Sequence, residues 1–279
     1  MISSKKSNSI KYIFLLIFSI IALIPMLYMI STSLKPNGAL YNFPPKFFPT
    51  LDEITLSNYK YILNQSKFFR NFLNSIFVAS VAVIIAAIAS TGLAFTIGRF
   101  KNKFTKTVFA LLVVTMVIPG TTLIVPQFEL AVNFNVINSL GGLIPFYTAW
   151  VIPFSTFMIK GFMENIPNDI IDASEIDGAN IFQIFKNIAV PLASPAIASV
   201  SIFNFLSSWE EFPWANTVIN ETKLRTLPIA ITGFFGQHQF TQWGYVFALS
   251  LLALLPVLII FITCQKFFIS GITTGSIKG

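Results

Sequence analysis

The chain has 279 residues, 54% of them hydrophobic and only 10% charged, and its mean hydropathy is +0.75. A soluble domain carries about 25% charged residues, so most of this surface is not built to meet water. One Cys (Cys264) and one His (His238) exclude a disulfide framework, a zinc cluster and a Cys–His or Ser–His–Asp constellation within the chain, and no metal site or catalytic residue is assigned. The net charge of +7 is too dispersed for a nucleic-acid surface and fits cytoplasmic anchoring at a membrane.

Windows free of Asp, Glu, Lys, Arg and His mark the spans. In chain order they are Tyr12–Leu34, Asn71–Ile97, Thr107–Phe128, a fourth within Leu130–Ile159 starting near Leu140, a fifth begun by Asn187–Trp209, and a sixth within Gln239–Gln265. Each is long enough for a hydrocarbon core about 30 Å thick. The expectation is an all-α polytopic membrane protein with about six transmembrane helices, forming one domain over 1–279. Pro25, Pro119, Gly120, Pro126, Pro153 and Pro256 fall inside or beside spans, where neighbouring helices can tolerate them.

Basic residues give the orientation. Lys5, Lys6 and Lys11 precede the first span, Arg99, Lys101, Lys103 and Lys106 fill a short link, Lys160 and Lys186 bound another, and Lys266 and Lys278 follow the last span. The opposite links hold only Lys35, Lys46, Lys60, Lys67, Arg70, Lys223 and Arg225. Both termini are therefore expected in the cytoplasm. The first apolar stretch exceeds the 7–15 residues of a signal peptide and no A-x-A site follows, so it reads as a retained anchor. The 35–70 segment, with Phe43-Pro44-Pro45 and Pro49, reads as an external connector.

The segment 164–191 is the informative cytoplasmic link. Pro167 suits a helix start, and Asp169 and Asp172 suit the positive end of its dipole. Gly178 suits a left-handed stop, and Asn180 with Gln183 resembles a capping box for a second short helix. On that second helix Ile181, Ile184, Phe185 and Ile188 recur at helical spacing as one apolar stripe. Two short helices joined at a glycine, with an apolar face and an acidic flank (Glu164, Asp169, Asp172, Glu175, Asp177), suggest a docking knob. The alternative is an interfacial helix lying on lipid, which the five acidic residues oppose.

Asp172-Ala173-Ser174, three residues, Gly178, nine residues, then Ile188-Ala189-Val190-Pro191 resembles the E-A-A-x3-G-x9-I-x-L-P segment of bacterial ABC-importer permeases. Asp replaces Glu, Ser replaces the second Ala, and Val replaces Leu. The order of Ser31-Thr32-Ser33-Leu34-Lys35, Gly98-Arg99-Phe100, Met116-Val117-Ile118-Pro119, Trp209-Glu210-Glu211-Phe212-Pro213-Trp214 and Leu224-Arg225-Thr226-Leu227-Pro228 resembles the carbohydrate-importer branch, as does the tail from Gln265 to Gly279. It is similar to the six-span partner of a maltose-type permease pair.

The resemblance implies a type I importer permease in a prokaryotic cell membrane. Its partners would be a second homologous permease, an ATPase subunit dimer and an extracellular solute-binding protein, besides membrane lipids. Asp172, Ala173, Ser174, Gly178, Ile181, Ile184, Phe185, Ile188 and Pro191 would be the ATPase-coupling residues, and the tail would reach toward the ATPase pair. The chain has no G-x-x-x-x-G-K-[ST] phosphate loop, so ATP and magnesium belong to the partner and this chain holds no cofactor.

Trp209, Glu210, Glu211 and Trp214 have two readings. Acidic residues at membrane depth are functional candidates, and aromatics beside them could line a sugar path. The other reading is an interfacial Trp belt with charges at the water edge, which also suits Trp243 and Tyr245. A proton-coupled carrier using Glu210 or Glu211 would want internal repeats, and none is visible. An importer for a glycerol-phosphate-type solute shares much of the same pattern. A membrane-embedded enzyme is poorly served by so few His, Cys and buried acids.

Overall fold

Prolines and glycines punctuate the helices, and the computed structural model shows where each break falls. It describes residues 5–276 apart from 42, 45, 65–66 and 236–240, with side chains described from 11 to 265 excepting also residue 40. His238 and the side chains of the carboxy-terminal tail, including Lys266 and Lys278, lie outside the described residues.

Among the described residues all regular structure is helical: α1 (Lys5–Ser33), α2 (Ser57–Asn64), α3 (Phe68–Arg99), α4 (Lys103–Thr115), α5 (Ile124–Asn133), α6 (Leu140–Met163), α7 (Asn168–Ile176), α8 (Ile181–Ile184), α9 (Val190–Trp209), α10 (Pro213–Val218), α11 (Leu227–Thr232) and α12 (Trp243–Ser276). Among the described residues five stretches are long and apolar enough to span: Lys11–Ser33, Phe68–Arg99, Leu140–Met163, Ile181–Trp209 and Trp243–Gln265. The sixth is a correction to the sequence reading. The window Thr107–Phe128 is not one straight helix but α4 followed by Gly120–Asn133, bent by 95°. Pro119 has no amide hydrogen to continue α4 and pushes Ile118 away from helical dihedrals. A short 3₁₀ turn, Gly120–Leu123, restarts the chain in the new direction.

The chain divides into two compact units, 1–69 with 230–255, and 70–229 with 256–279. In the first, the side chains of α1 from Lys11 to Pro25 are all exposed, as suits a helix that is apolar on every side and meets lipid or another apolar surface. Beyond it the 35–70 segment is more than a connector. Ser31 donates to the Phe47 carbonyl, and buried Lys35 donates to the carbonyls of Lys46 and Phe47. Burial pushes the Lys35 amine below its ordinary pKa, against the attraction of Glu53. Asn58 donates to the carbonyls of Ser33 and Lys35 at 2.8 and 2.7 Å. Tyr61 stacks on Tyr245 at 4.3 Å, so Tyr245, read as a belt residue, is packed inside this unit.

In the second unit α6 and α9 pack closely, with Ala193, Ala196 and Ser155 buried in this layer. Small side chains allow such approach in a membrane. Asn204 of α9 donates to Ser155 of α6 at 2.8 Å. One core cluster gathers around Tyr147, Phe146, Leu143 and Trp214, and a second around Ile159, Ile171, Ile184 and Ala193.

Candidate coupling and path sites

The long helix from Ile181 to Trp209 connects the two regions singled out by sequence. At about 1.5 Å per residue its 29 residues rise roughly 43 Å, more than a hydrocarbon core. At its amino end Pro167 caps α7 with an extended ψ of 132° and Asp169 sits in the first turn. Gly178 turns the chain at φ +83°. Asn180 then accepts from the Gln183 amide at 2.9 Å while Gln183 accepts from the Asn180 amide at 2.8 Å, the reciprocal capping box that the residue types predict.

The second short helix is not separate from the span. α8 passes through a π-helical turn, Phe185–Ala189, directly into α9. This changes the meaning of the apolar stripe. Ile184 is 1% exposed and belongs to the chain's own core with Ile159, Met163 and Ile171, so it is not available to a partner. Phe185 lies against Phe95, ring centres 5.1 Å apart, and Ile188 is half-buried. A stripe that runs from an elbow into a packed span faces the same interior as the span does.

Of the stripe Ile181 alone stays exposed, and the other exposed apolar side chains lie elsewhere on the elbow. Ile176 is 86% exposed, Phe182 66%, Ile181 45% and Ile170 43%. They flank Gly178 in sequence, and Ile170, Ile176 and Phe182 were missed because they fall off the stripe. The signal was present: large apolar residues just before and after a glycine turn, at positions that the core cannot use. Asp172, Ala173 and Pro191 are exposed and Ser174 is half-buried, its hydroxyl donating to the Ile171 carbonyl at 2.6 Å. The acidic flank is partly paired inside the chain, by Arg99–Glu175 at 2.7 Å and Lys160–Glu164 at 2.8 Å. Between the end of α3 and the start of α7 lies a cavity of about 420 Å³, lined by Arg99, Lys101, Glu164, Asn168 and Asp172 among others.

At the carboxy end of the long helix the four sequence candidates separate. Trp209 is buried against Phe72 and Phe205, and Trp214 is buried against Phe146 and Trp150. Neither indole is a belt residue at a water edge. Glu210 caps the end of α9 and is exposed. Glu211 is half-buried and fully engaged: it accepts from the Tyr147 hydroxyl at 2.7 Å and from the amides of Trp214 and Ala215 at 2.7 and 3.0 Å. It satisfies the free amides at the start of α10, which lie beside a favourable dipole end. Glu211 and Trp214 also line a second cavity of about 240 Å³.

Membrane-spanning helices, one of them broken and another running out into an apolar-faced elbow, make this a multi-pass helical membrane protein. A model of the family described as binding-protein-dependent transport system inner membrane component matches residues 63–272, and the chain belongs to that family. It is 31% identical to the melibiose/raffinose/stachyose import permease protein MelC of Bacillus subtilis (strain 168), over 92% of this chain and 91% of that one. It is 29% identical to the arabinooligosaccharides transport system permease protein AraQ of the same organism, over 96% and 94%. The fold matches a chain of the crystal structure of a bacterial ABC transporter involved in the import of the acidic polysaccharide alginate, with TM-score 0.81, 21% identity and coverage of 95% and 98%. The protein is thus a multi-pass transport permease, and neither the carrier nor the membrane-enzyme reading survives the family assignment.

Proposed function

We propose that this chain pairs with a second homologous permease to form the membrane path of an ABC importer for a sugar or oligosaccharide. An extracellular solute-binding protein delivers the solute, and an ATPase dimer, binding ATP and magnesium, supplies the energy. Both termini lie in the cytoplasm of a prokaryotic cell, so the elbow at 164–191 meets the ATPase. The observation that carries this reading is the exposed set Ile170, Ile176, Ile181 and Phe182 around a left-handed glycine, at the end of a helix that continues unbroken through the membrane. An exposed apolar patch needs a partner, and a rigid helix transmits that partner's movement to the path. The sugar class is supported by the carbohydrate named in the two relatives above.

The test is to purify the tagged chain from its own host with whatever remains bound. It should bring an ATPase and a second permease in fixed stoichiometry, and the reconstituted complex with its binding protein should take up a neutral sugar at the expense of ATP. Gly178→Val places a β-branched residue at φ > 0, a strained conformation, although no atom lies within 4 Å of the added Cβ. Uptake should fall at least tenfold on this change while membrane insertion is retained. Full uptake by the variant, or a chain that transports alone, would overturn the reading.

A further inference from the structure

The segment after α1 folds back beside the helix it has just left. The Phe47 carbonyl accepts from Ser31, and the Phe47 ring lies 5.4 Å from that of Tyr28. Tyr28 precedes the end of α1 at Ser33 by five residues, or about 7 Å of helix. The Tyr28 ring also meets Phe247 at 6.0 Å, about one turn inside the start of α12 at Trp243. Tyr28, Phe47 and Phe247 thus form one aromatic layer just inside the ends of two spans. The α1 span of 23 residues measures about 34 Å, against a hydrocarbon core about 30 Å thick. A ring about 7 Å inside its end therefore lies a few ångströms below the boundary between headgroups and acyl chains.

Non-helical backbone at that depth must have its polar groups covered. Lys35, only 3% exposed, supplies that cover by donating to the carbonyls of Lys46 and Phe47, alongside the Ser31 hydroxyl. The side chains of the same stretch face outward. Phe48 packs edge-on against Phe47 at 4.7 Å, and the two rings are 62% and 40% exposed. They adjoin Tyr28, which is itself exposed together with Leu27 and Ile30. Next in sequence to these rings, the exposed Lys46 pairs with Glu53 at 2.8 Å. Charge directly beside exposed rings suits a bilayer interface, where rings enter the acyl region and a lysine stem reaches back toward water. The centre of a protein–protein contact is instead depleted of Lys and Glu. α2, by contrast, lies beyond the helix end: Asn58 donates to the carbonyls of Ser33 and Lys35, and Lys60 is exposed.

We infer that the stretch 46–48 is an interfacial lipid anchor: Lys35 and Ser31 hold it against the end of α1, so that Phe47 and Phe48 enter the bilayer surface where α1 ends. In the proposed orientation this is the outer surface, and the anchor serves whatever solute the permease carries. The test uses the full chain, purified with its bound partners and reconstituted into vesicles of phosphatidylethanolamine and phosphatidylglycerol, in a Cys264→Ser background. Spin labels on Phe48→Cys and on Lys60→Cys are compared for collision with oxygen, which concentrates in lipid, and with a nickel chelate, which stays in water. The Phe48→Cys label should favour oxygen over chelate at least threefold more than the Lys60→Cys label does, with and without the solute-binding protein. Lys35→Met, which keeps a long stem and deletes the ammonium, should raise chelate access to the Phe48→Cys label at least twofold. If that variant fails to insert, the comparison of positions 48 and 60 still decides the anchor. A label at 48 as open to the chelate as the one at 60 overturns it. So does a label that neither reagent reaches, because protein then covers the site: the second permease if this holds in the vesicle alone, the binding protein if it appears only on its addition. Unchanged chelate access in Lys35→Met would overturn the hold assigned to Lys35. None of these readouts is uptake, so the anchor stands or falls separately from the import function.

Discussion

The two ends of the helix Ile181–Trp209 carry similar residue types and use them in opposite ways. At the elbow, apolar side chains that the core does not need are turned outward: Ile176 and Phe182 are more than half exposed. At the far end, Trp209 and Trp214 are turned inward, 4% and 1% exposed, and the nearby charge of Glu211 is absorbed by a hydroxyl and two amides. The difference follows from what each end must do. A docking surface needs apolar area left over after folding, whereas a break within the membrane must cover its own backbone before it can hold anything else.

The largest expected effect separates core from surface at the elbow. Ile184→Ala should destabilise the chain by about 2–5 kcal/mol, because it opens a cavity in a packed core, and melting of the detergent-solubilised chain should report it. Ile176→Ser with Phe182→Ser should leave that melting temperature nearly unchanged and instead release the ATPase from the purified complex. The contrast breaks if the serine pair unfolds the permease, or if Ile184→Ala loses the ATPase without loss of stability.

Next in size is the far end. Glu211→Gln keeps shape but weakens the hold on the Trp214 and Ala215 amides and on Tyr147. Loss of a helix cap costs about 0.5–2 kcal/mol, and hydrogen bonds between membrane helices average about 0.6 kcal/mol. Tyr147→Phe should cost less than Glu211→Gln, since it removes one of three bonds. The double variant should cost less than the sum of the two, because both changes delete the same 2.7 Å contact. Strict additivity in thermal melts would mean that the two groups are not coupled in the membrane.

These two ends also show what a sequence can disclose. The Gly178 turn and the Asn180–Gln183 box were legible because each depends on residues within a few positions of one another. The spans were legible from uninterrupted apolarity, although the 95° bend was not: Pro119 announces a break and says nothing of its direction. Ile184 was misassigned because periodicity marks an apolar face without saying what lies opposite, and its neighbours Ile159 and Met163 are distant in sequence. Glu211 was open to several readings for the same reason: Tyr147 lies 64 residues away. In the 35–70 segment the anchors Lys35 and Asn58 act on backbone carbonyls, which leave no trace in residue type.

The smallest expected effect concerns the remaining tie at the elbow, Arg99–Glu175. Its partners are 26% and 49% exposed, and pairs of this kind contribute about 0–1 kcal/mol. The far end, by contrast, is held by hydrogen bonds in a water-poor setting. Salt distinguishes the two, since a Debye length of about 10 Å at 0.1 M shrinks to about 3 Å at 1 M and screens exposed pairs far more than buried ones. Glu175→Gln should lower the melting temperature slightly at low ionic strength and not at all in 1 M salt, while the deficit of Glu211→Gln should be the same in both. An elbow held mainly by apolar packing of Ile171 and Ile184 against the core would then tolerate the loss of its ion pair and keep its ATPase. If Glu175→Gln instead proved as damaging as Ile184→Ala, at every salt concentration, the elbow would be held by charge, and its exposed apolar residues would need another explanation.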